Sequence, residues 1–301
     1  IPILFHLLYF FHLNYFFQLF SMLSKDILIV KSTGVKEPFD IKKLETSLVR
    51  AGASEKNVSL IADHILKEVR DGMSTGEIYT HAFSLLRRYE KPVSLKYSLR
   101  KAVMELGPSG FPFEKFISEL FKARGFKSET NLMARGRCVE HEIDVIAWND
   151  VKLIIAEAKF HNDIGLKSDL KVALYVKARF DDLKETLFTV EGKKRKHNEA
   201  HLITNTKFTS SAIEYAECSG LALVGWNYPI TGNLHNMIED FNLHPITALT
   251  TLTDYEKKEF ISNGIVLCKQ LISGGILKKN GIKEDRINLA IQEIKELYQM
   301  S

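Results

Sequence analysis

Cysteine is scarce. There are three in 301 residues, Cys138, Cys218 and Cys268, far apart and with no CxxC pair. That spacing excludes a cysteine-based zinc ribbon and a redox-active cysteine pair, and it fits reduced thiols in the cytoplasm. A strong charge of one sign is also missing. The net charge of +4 and a pI near 8.7 permit a polyanionic partner without requiring one. Charge is absent altogether before Lys25, and eight of the first twenty residues are aromatic. The length suits a membrane span. However, His6, His12, Asn14 and Gln18 interrupt it, no basic residue leads it, and it opens with Ile1. We expect translation to start at Met22, with 1–21 as upstream sequence read in frame; a membrane anchor is the alternative. What remains, at 45 % hydrophobic overall, suffices for two or three small domains with real cores.

The stretch 142–159, EIDVIAWNDVKLIIAEAK, organises the chain. Residues 143–147 and 151–156 are β-branched and apolar, so they read as two strands around the polar turn Trp148-Asn149-Asp150. Asp144 lies early in the first strand. Glu157 and Lys159 end the second, two residues apart and therefore on one side of the sheet. Two carboxylates and a lysine at one edge of a hairpin can hold a divalent cation and handle a water beside it. Mg²⁺ suits this, because it takes few protein carboxylates and keeps waters. The bland reading is a surface hairpin with solvated charges, but an apolar run ending in Glu-Ala-Lys argues against it.

Asp144 followed thirteen positions later by Glu157-Ala158-Lys159 resembles the core of the PD-(D/E)xK nucleases, most closely the Mrr-type restriction endonuclease domain and archaeal Holliday-junction resolvases. The bare pattern is weak; its setting between a preceding helix and a following helix and strand strengthens it. The resemblance implies Asp144, Glu157 and the Ala158 carbonyl as metal ligands, and Lys159 as the residue that positions water and stabilises charge. It also implies a 5′-phosphate and a 3′-hydroxyl as products. After the linker 107–110, a helix carries Phe113, Phe116, Ile117, Leu120 and Phe121 on one face, and Glu114 shares that face. Such an acid either serves the metal site, as the family's first helix often does, or is a helix N-terminal charge. Glu119 reads as solvated.

The front of the chain, 26–107, reads as a strand followed by four helices, the last over about 93–106. It resembles the ATP-cone, the nucleotide-sensing domain of many ribonucleotide reductases. The marks are Val30-Lys31, Glu37, Phe39-Asp40, Lys43-Leu44, Asp71-Gly72 and Thr75-x-x-Ile78. The resemblance implies an ATP or dATP site with Lys31, Glu37, Lys43 and Thr75 about it; lysines and helix N-termini suit phosphates in any case. Ser32, where a second basic residue is common, and Tyr79, where some members have histidine, are departures. A cone kept only as a docking module is the competing reading.

Other features carry less. Residues 131–140 read as a polar loop in which Arg135 and Arg137 are phosphate-contact candidates, and Glu140 and Glu142 flank His141 without being named ligands. A helix over 168–186 offers Tyr175, Lys177 and Arg179 to a DNA backbone and puts Leu170, Ala173, Leu174 and Phe180 in the core. Lys193-Lys194-Arg195-Lys196 reads as a mobile basic loop. His197 and His201 are four apart, but HNEAH is not HExxH. A strand over 201–206, a helix near 210–218 and a strand over 221–226 complete an α/β core. The tail, with a capping box at Thr253 to Glu256 and helices over 265–272 and 284–298, suggests either a helix-hairpin-helix-like DNA module or a dimerisation bundle.

The expected fold is multidomain. It consists of an apolar segment 1–24, an α-helical ATP-cone 26–107, an α/β restriction-endonuclease-like core 108–230 and a C-terminal helical region 231–301. The expected function is a Mg²⁺- or Mn²⁺-dependent DNA endonuclease regulated by ATP or dATP. It is expected to be cytoplasmic, homodimeric because one site per chain must cut two strands, and free of the membrane unless 1–24 is real. The alternative is a nucleotide-responsive DNA-binding protein without cleavage, though all three signature residues are present. A reductase or its regulator fails for want of cysteines.

Overall fold

A computed structural model describes residues 27–31, 34–90, 93–94 and 97–298. The expectations placed on 1–24, on Met22 and on Ser32 lie outside the described residues. The chain divides into two compact units, the first ending at Ser98 and the second beginning at Leu99.

In the first unit, β1 (Leu28–Val30) and β2 (Lys36–Pro38) pair antiparallel, with Ile29 opposite Glu37. Three helices follow: α1 (Ile41–Arg50), α2 (Glu55–Glu68) and α3 (Thr75–Tyr89). Asp40 caps α1 by accepting from the Lys42 N–H at 3.0 Å, and Ser74 with Glu77 forms a full capping box on α3. Apolar residues at helical spacing give one core, in which Leu48, Ile61, Ala82 and Leu86 are fully buried. The expected fourth helix is divided. Residues 93, 94 and 97 are helical in the first unit, while α4 (Leu99–Met104) belongs to the second, where Leu99 and Val103 are buried.

The second unit is built on a five-stranded sheet. Its strands are β3 (Lys127–Arg135), β4 (Glu140–Trp148), β5 (Leu153–Lys159), β9 (Glu199–Thr204) and β11 (Ala222–Val224), in the order β11-β9-β5-β4-β3. The first three run antiparallel, and β5, β9 and β11 run parallel. Outside this sheet, β6 (Lys167–Ser168) and β10 (Lys207–Phe208) form a short parallel pair. The helix α5 (Phe111–Ala123) packs Phe113, Phe116 and Ile117 on one face, against Val145, Ala147, Ile154 and Ala156. On the other face α6 (Leu170–Asp182) and α7 (Ser210–Ser219) cover Ile146, Trp148, Leu153 and Ile155. Both faces of the sheet are buried at its centre, which is why residues 145–148 of β4 and 153–156 of β5 are apolar without a break.

Several expectations need correction. The polar stretch 131–140 is largely strand: β3 reaches Arg135 and β4 begins at Glu140. An edge strand shows one row of side chains to water, so its sequence looks like a loop. The basic run is not a loop either, since β8 (Lys193–Arg195) pairs with β7 (Phe188–Val190) in a hairpin. Leu174, expected in the core, is 45 % exposed, and Glu119, expected in water, is ion-paired to Lys122 at 2.8 Å. The helix expected over 265–272 is only a 3₁₀ turn, Cys268–Leu271.

The tail contains α8 (Leu234–Asp240), α9 (Asp254–Ser262), α10 (Gly275–Lys279) and α11 (Glu284–Leu297). Glu293 of α11 is buried and takes the N–H and hydroxyl groups of both Thr250 and Thr251. The capping box at Thr253 and Glu256 forms as expected, and Arg286 closes on Glu256 at 2.5 Å.

Candidate active site

The β4–β5 ladder pairs Val145 with Ala156 and goes no further toward the start of β4. One step beyond, Asp144 faces Glu157 in the same register, so both side chains rise from the same face. There the strands part. The Asp144 carboxylate enters the gap and accepts the Ala158 N–H at 2.8 Å. Lys159, two residues past Glu157, shares its face and is exposed at the end of β5. The two carboxylates and the lysine of the sequence pattern therefore meet at one corner of the sheet.

Glu114 reaches this corner from the first turn of α5. Asn131 links it to β4 by donating to Glu114 Oε2 at 3.1 Å and to Glu142 Oε1 at 3.2 Å. Asn131 lies opposite Asp144 in the β3–β4 register and has φ 59°, a left-handed conformation that interrupts the ladder. Glu157 has a counter-ion: Arg179 Nη1 of α6 sits 2.5 Å from its Oε2, and the same guanidinium bonds the Glu142 carbonyl. Arg179 therefore turns into the site, not outward to a DNA backbone as expected. Lys177 is likewise engaged, with Asp181, while Tyr175 stays exposed.

The electrostatics follow from crowding acids at a half-buried corner. Burial, and then the Asp144 charge, push Glu157 up to about 7 against the pull of Arg179. Burial and the same Asp144 charge raise Glu114 to about 7, with Asn131 opposing. Burial raises Asp144 as well, opposed by the Ala158 N–H. Burial lowers the neighbouring His161 below its ordinary value, and Lys159 adds to this. Asn205, fully buried, fixes the His161 backbone by bonds of 2.9 and 2.8 Å. Hard oxygen donors with raised proton affinity fit a divalent cation of the Mg²⁺ type, which would supply the missing positive charge. The set is open: among the described residues, the oxygens of Asp144, Glu157 and Glu114 do not all lie within 4.8 Å of one another.

The rim is fixed by Asp182 at the end of α6. It accepts from His141 at 2.8 Å, which does most to hold it below the usual carboxylate range, and from the Cys138 and Val139 N–H groups, which add to this against burial. Gly136 is needed there, because a Cβ would come 2.2 Å from Asp182 Oδ2. Arg135 bonds the Cys138 carbonyl at 3.0 Å in the same loop. His197 and His201 are divided between Phe188 and Phe121, and His201 pairs with Glu199. Asn131 and Asp182 were missed by sequence reasoning; nothing in their local sequence marks them.

In the first unit, Lys31 and Lys43 both reach Glu37, at 2.6 and 3.4 Å, and Lys31 does most to hold that carboxylate down. Val30 pairs with Ser74, which sets Lys31 beside Thr75 at the first turn of α3. Of the four residues implied by the cone resemblance, Lys31, Glu37 and Lys43 thus form one ion-paired group, and the Val30–Ser74 bridge brings the end of β1 to the start of α3, where Thr75 lies. Tyr79, one turn along α3, stacks on Tyr97 at 5.2 Å.

The fold and these two gatherings define a restriction-endonuclease-like α/β unit preceded by a nucleotide-cone unit. Comparison with known families agrees: residues 27–99 match the ATP cone domain, 107–226 the restriction endonuclease family Mrr, and 244–298 the AF1548-like C-terminal family. An Archaeoglobus fulgidus protein described as an uncharacterized protein is 34 % identical over 183 residues, 60 % of this chain and 99 % of that one. A solved structure titled as the protein of unknown function AF1548 is 32 % identical with a TM-score of 0.52, over 64 % of this chain and 99 % of that one. The chain belongs to the AF1548-like family. No helix among the described residues is long and apolar enough to cross a membrane.

Proposed function

We propose that the chain is a Mg²⁺-dependent DNA endonuclease that hydrolyses phosphodiester bonds and is regulated by ATP or dATP at its cone. The observation carrying this reading is the meeting of Asp144, Glu157 and Lys159 on one face where β4 and β5 part, with Glu114 drawn in through Asn131. Asp144, Glu157 and the Ala158 carbonyl hold the cation, and Glu114 adds a further acid. A bound divalent cation lowers the pKa of water and neutralises phosphate charge. Lys159 orients the attacking water and stabilises charge on the phosphorus oxygens. Lysines around the unit neutralise the DNA backbone, and two copies of the chain cut the two strands. Lys31, Lys43 and the α3 N-terminus take the nucleotide phosphates, with Glu37 holding the two lysines together.

One observation favours a second reading, a nucleotide-responsive DNA-binding protein that does not cut: Arg179 already neutralises Glu157. Incubating supercoiled plasmid and a four-way junction with Mg²⁺ or Mn²⁺, with and without ATP and dATP, separates the two. Metal-dependent cutting that changes with nucleotide supports the proposal. Binding in a shift assay with every substrate left intact supports the alternative.

A further inference from the structure

The helices α2 and α3 carry a group that the nucleotide and nuclease readings leave unused. His64 and Glu68 are one turn apart on α2 and so share a face. His81 faces them from α3. His64 Nε2 is 3.1 Å from Glu68 Oε1, and His81 Nδ1 is 3.1 Å from Glu68 Oε2. The two imidazole rings meet edge to face with centroids 5.0 Å apart. Two nitrogens and a carboxylate oxygen, one from each side chain, all lie within 4.8 Å of one another. Among the described residues, this is the group whose His, Cys, Asp or Glu ligand atoms come together so closely.

From this we infer a transition-metal site, of the class that takes Zn²⁺, bridging α2 and α3 in the first unit. The donor set is two imidazoles and one carboxylate, which suits Zn²⁺ better than Mg²⁺. Ligand atoms on a tetrahedral zinc with bonds of roughly 2.0–2.2 Å lie about 3.3–3.6 Å apart; each imidazole is already 3.1 Å from one Glu68 oxygen, and small side-chain rotations bring the three ligand atoms, now within 4.8 Å of one another, around one ion. The side chains are 43 %, 50 % and 25 % exposed for His64, Glu68 and His81, so an ion could enter from solvent and keep a fourth position for water. A bound ion would tie the end of α2 to α3, the helix that begins at Thr75. It is distinct from the oxygen-donor corner around Asp144.

The test is a Zn²⁺ titration of the full chain against a chromophoric chelator, with Asp144→Asn and His64→Gln/His81→Gln proteins in parallel. We expect Asp144→Asn to keep the tight site. The double histidine variant should lose it, with affinity down more than about 100-fold, beyond the loss of an outer-shell partner. A second readout needs no variant: Zn²⁺ should protect His64 and His81 from diethylpyrocarbonate, followed by mass spectrometry. Equal labelling with and without Zn²⁺, or unchanged stoichiometry in the double variant, would overturn the site and leave two histidines sharing a carboxylate.

Discussion

At the scale of single residues, Asp144 has two jobs that one substitution can separate. Its carboxylate accepts the Ala158 N–H, and its charge belongs to the cluster that raises Glu157 and Glu114. Asparagine keeps an acceptor oxygen and removes the charge. Asp144→Asn should therefore melt within a few degrees of wild type yet lose cutting by at least about 100-fold, the scale of a lost charge-stabilising group. Arg179 makes the opposite point. Its pair with Glu157 is mostly buried, with side chains 13 % and 16 % exposed. Arg179→Met should cost about 2 kcal/mol in a denaturant melt, between the worth of exposed and buried pairs. Added Mn²⁺ should then restore more stability to the variant than it adds to wild type, because both cations compete for one carboxylate.

At the scale of elements, β3 decides whether Glu114 reaches the corner. Asn131 keeps a left-handed backbone inside a strand and carries the amide that ties α5 to β4. Asn131→Gly relieves the backbone and removes the tie, while Asn131→Val removes the tie and strains the backbone further. The glycine variant should be near wild type in stability and the valine variant lower by about 1–3 kcal/mol, with activity reduced in both. This strand also shows where the sequence stopped being legible. The buried hairpin announces itself by unbroken apolar residues, so Asp144, Glu157 and Lys159 could be placed from their positions alone. The edge strand has polar residues facing water, and its contribution to the site comes from register and one backbone twist, which leave no local signature. Arg179 was visible as a basic helical residue, but its inward turn depends on how α6 packs. The same holds for His64, Glu68 and His81, whose meeting depends on how two consecutive helices pack.

At the scale of the whole molecule, the C-terminal helices are locked to one another by charge as well as apolar packing. Arg286 and the Thr253 groups hold Glu256 down at about 2, against an ordinary value near 4.5. A carboxylate depressed in the folded state adds stability above its unfolded pKa and loses it as pH falls through the folded one. Melting temperature should thus fall between pH 4.5 and 2 more steeply for wild type than for Glu256→Gln, as followed by circular dichroism. At the other end of the chain, the paired lysines on Glu37 predict how nucleotide is held. Replacing Lys31 and Lys43 by alanine should weaken ATP binding by at least about tenfold in calorimetry, since a charged hydrogen bond is worth about 1.5–3 kcal/mol.

The central claim is that the corner of β4 and β5 hydrolyses phosphodiester bonds. Its most direct test is the Mn²⁺-dependent rate of nicking of one supercoiled plasmid by wild type, Asp144→Asn and Lys159→Ala, all shown to be folded. We predict cutting by wild type that chelator stops and that both variants lack. Nicking at an unchanged rate in either variant would contradict the account.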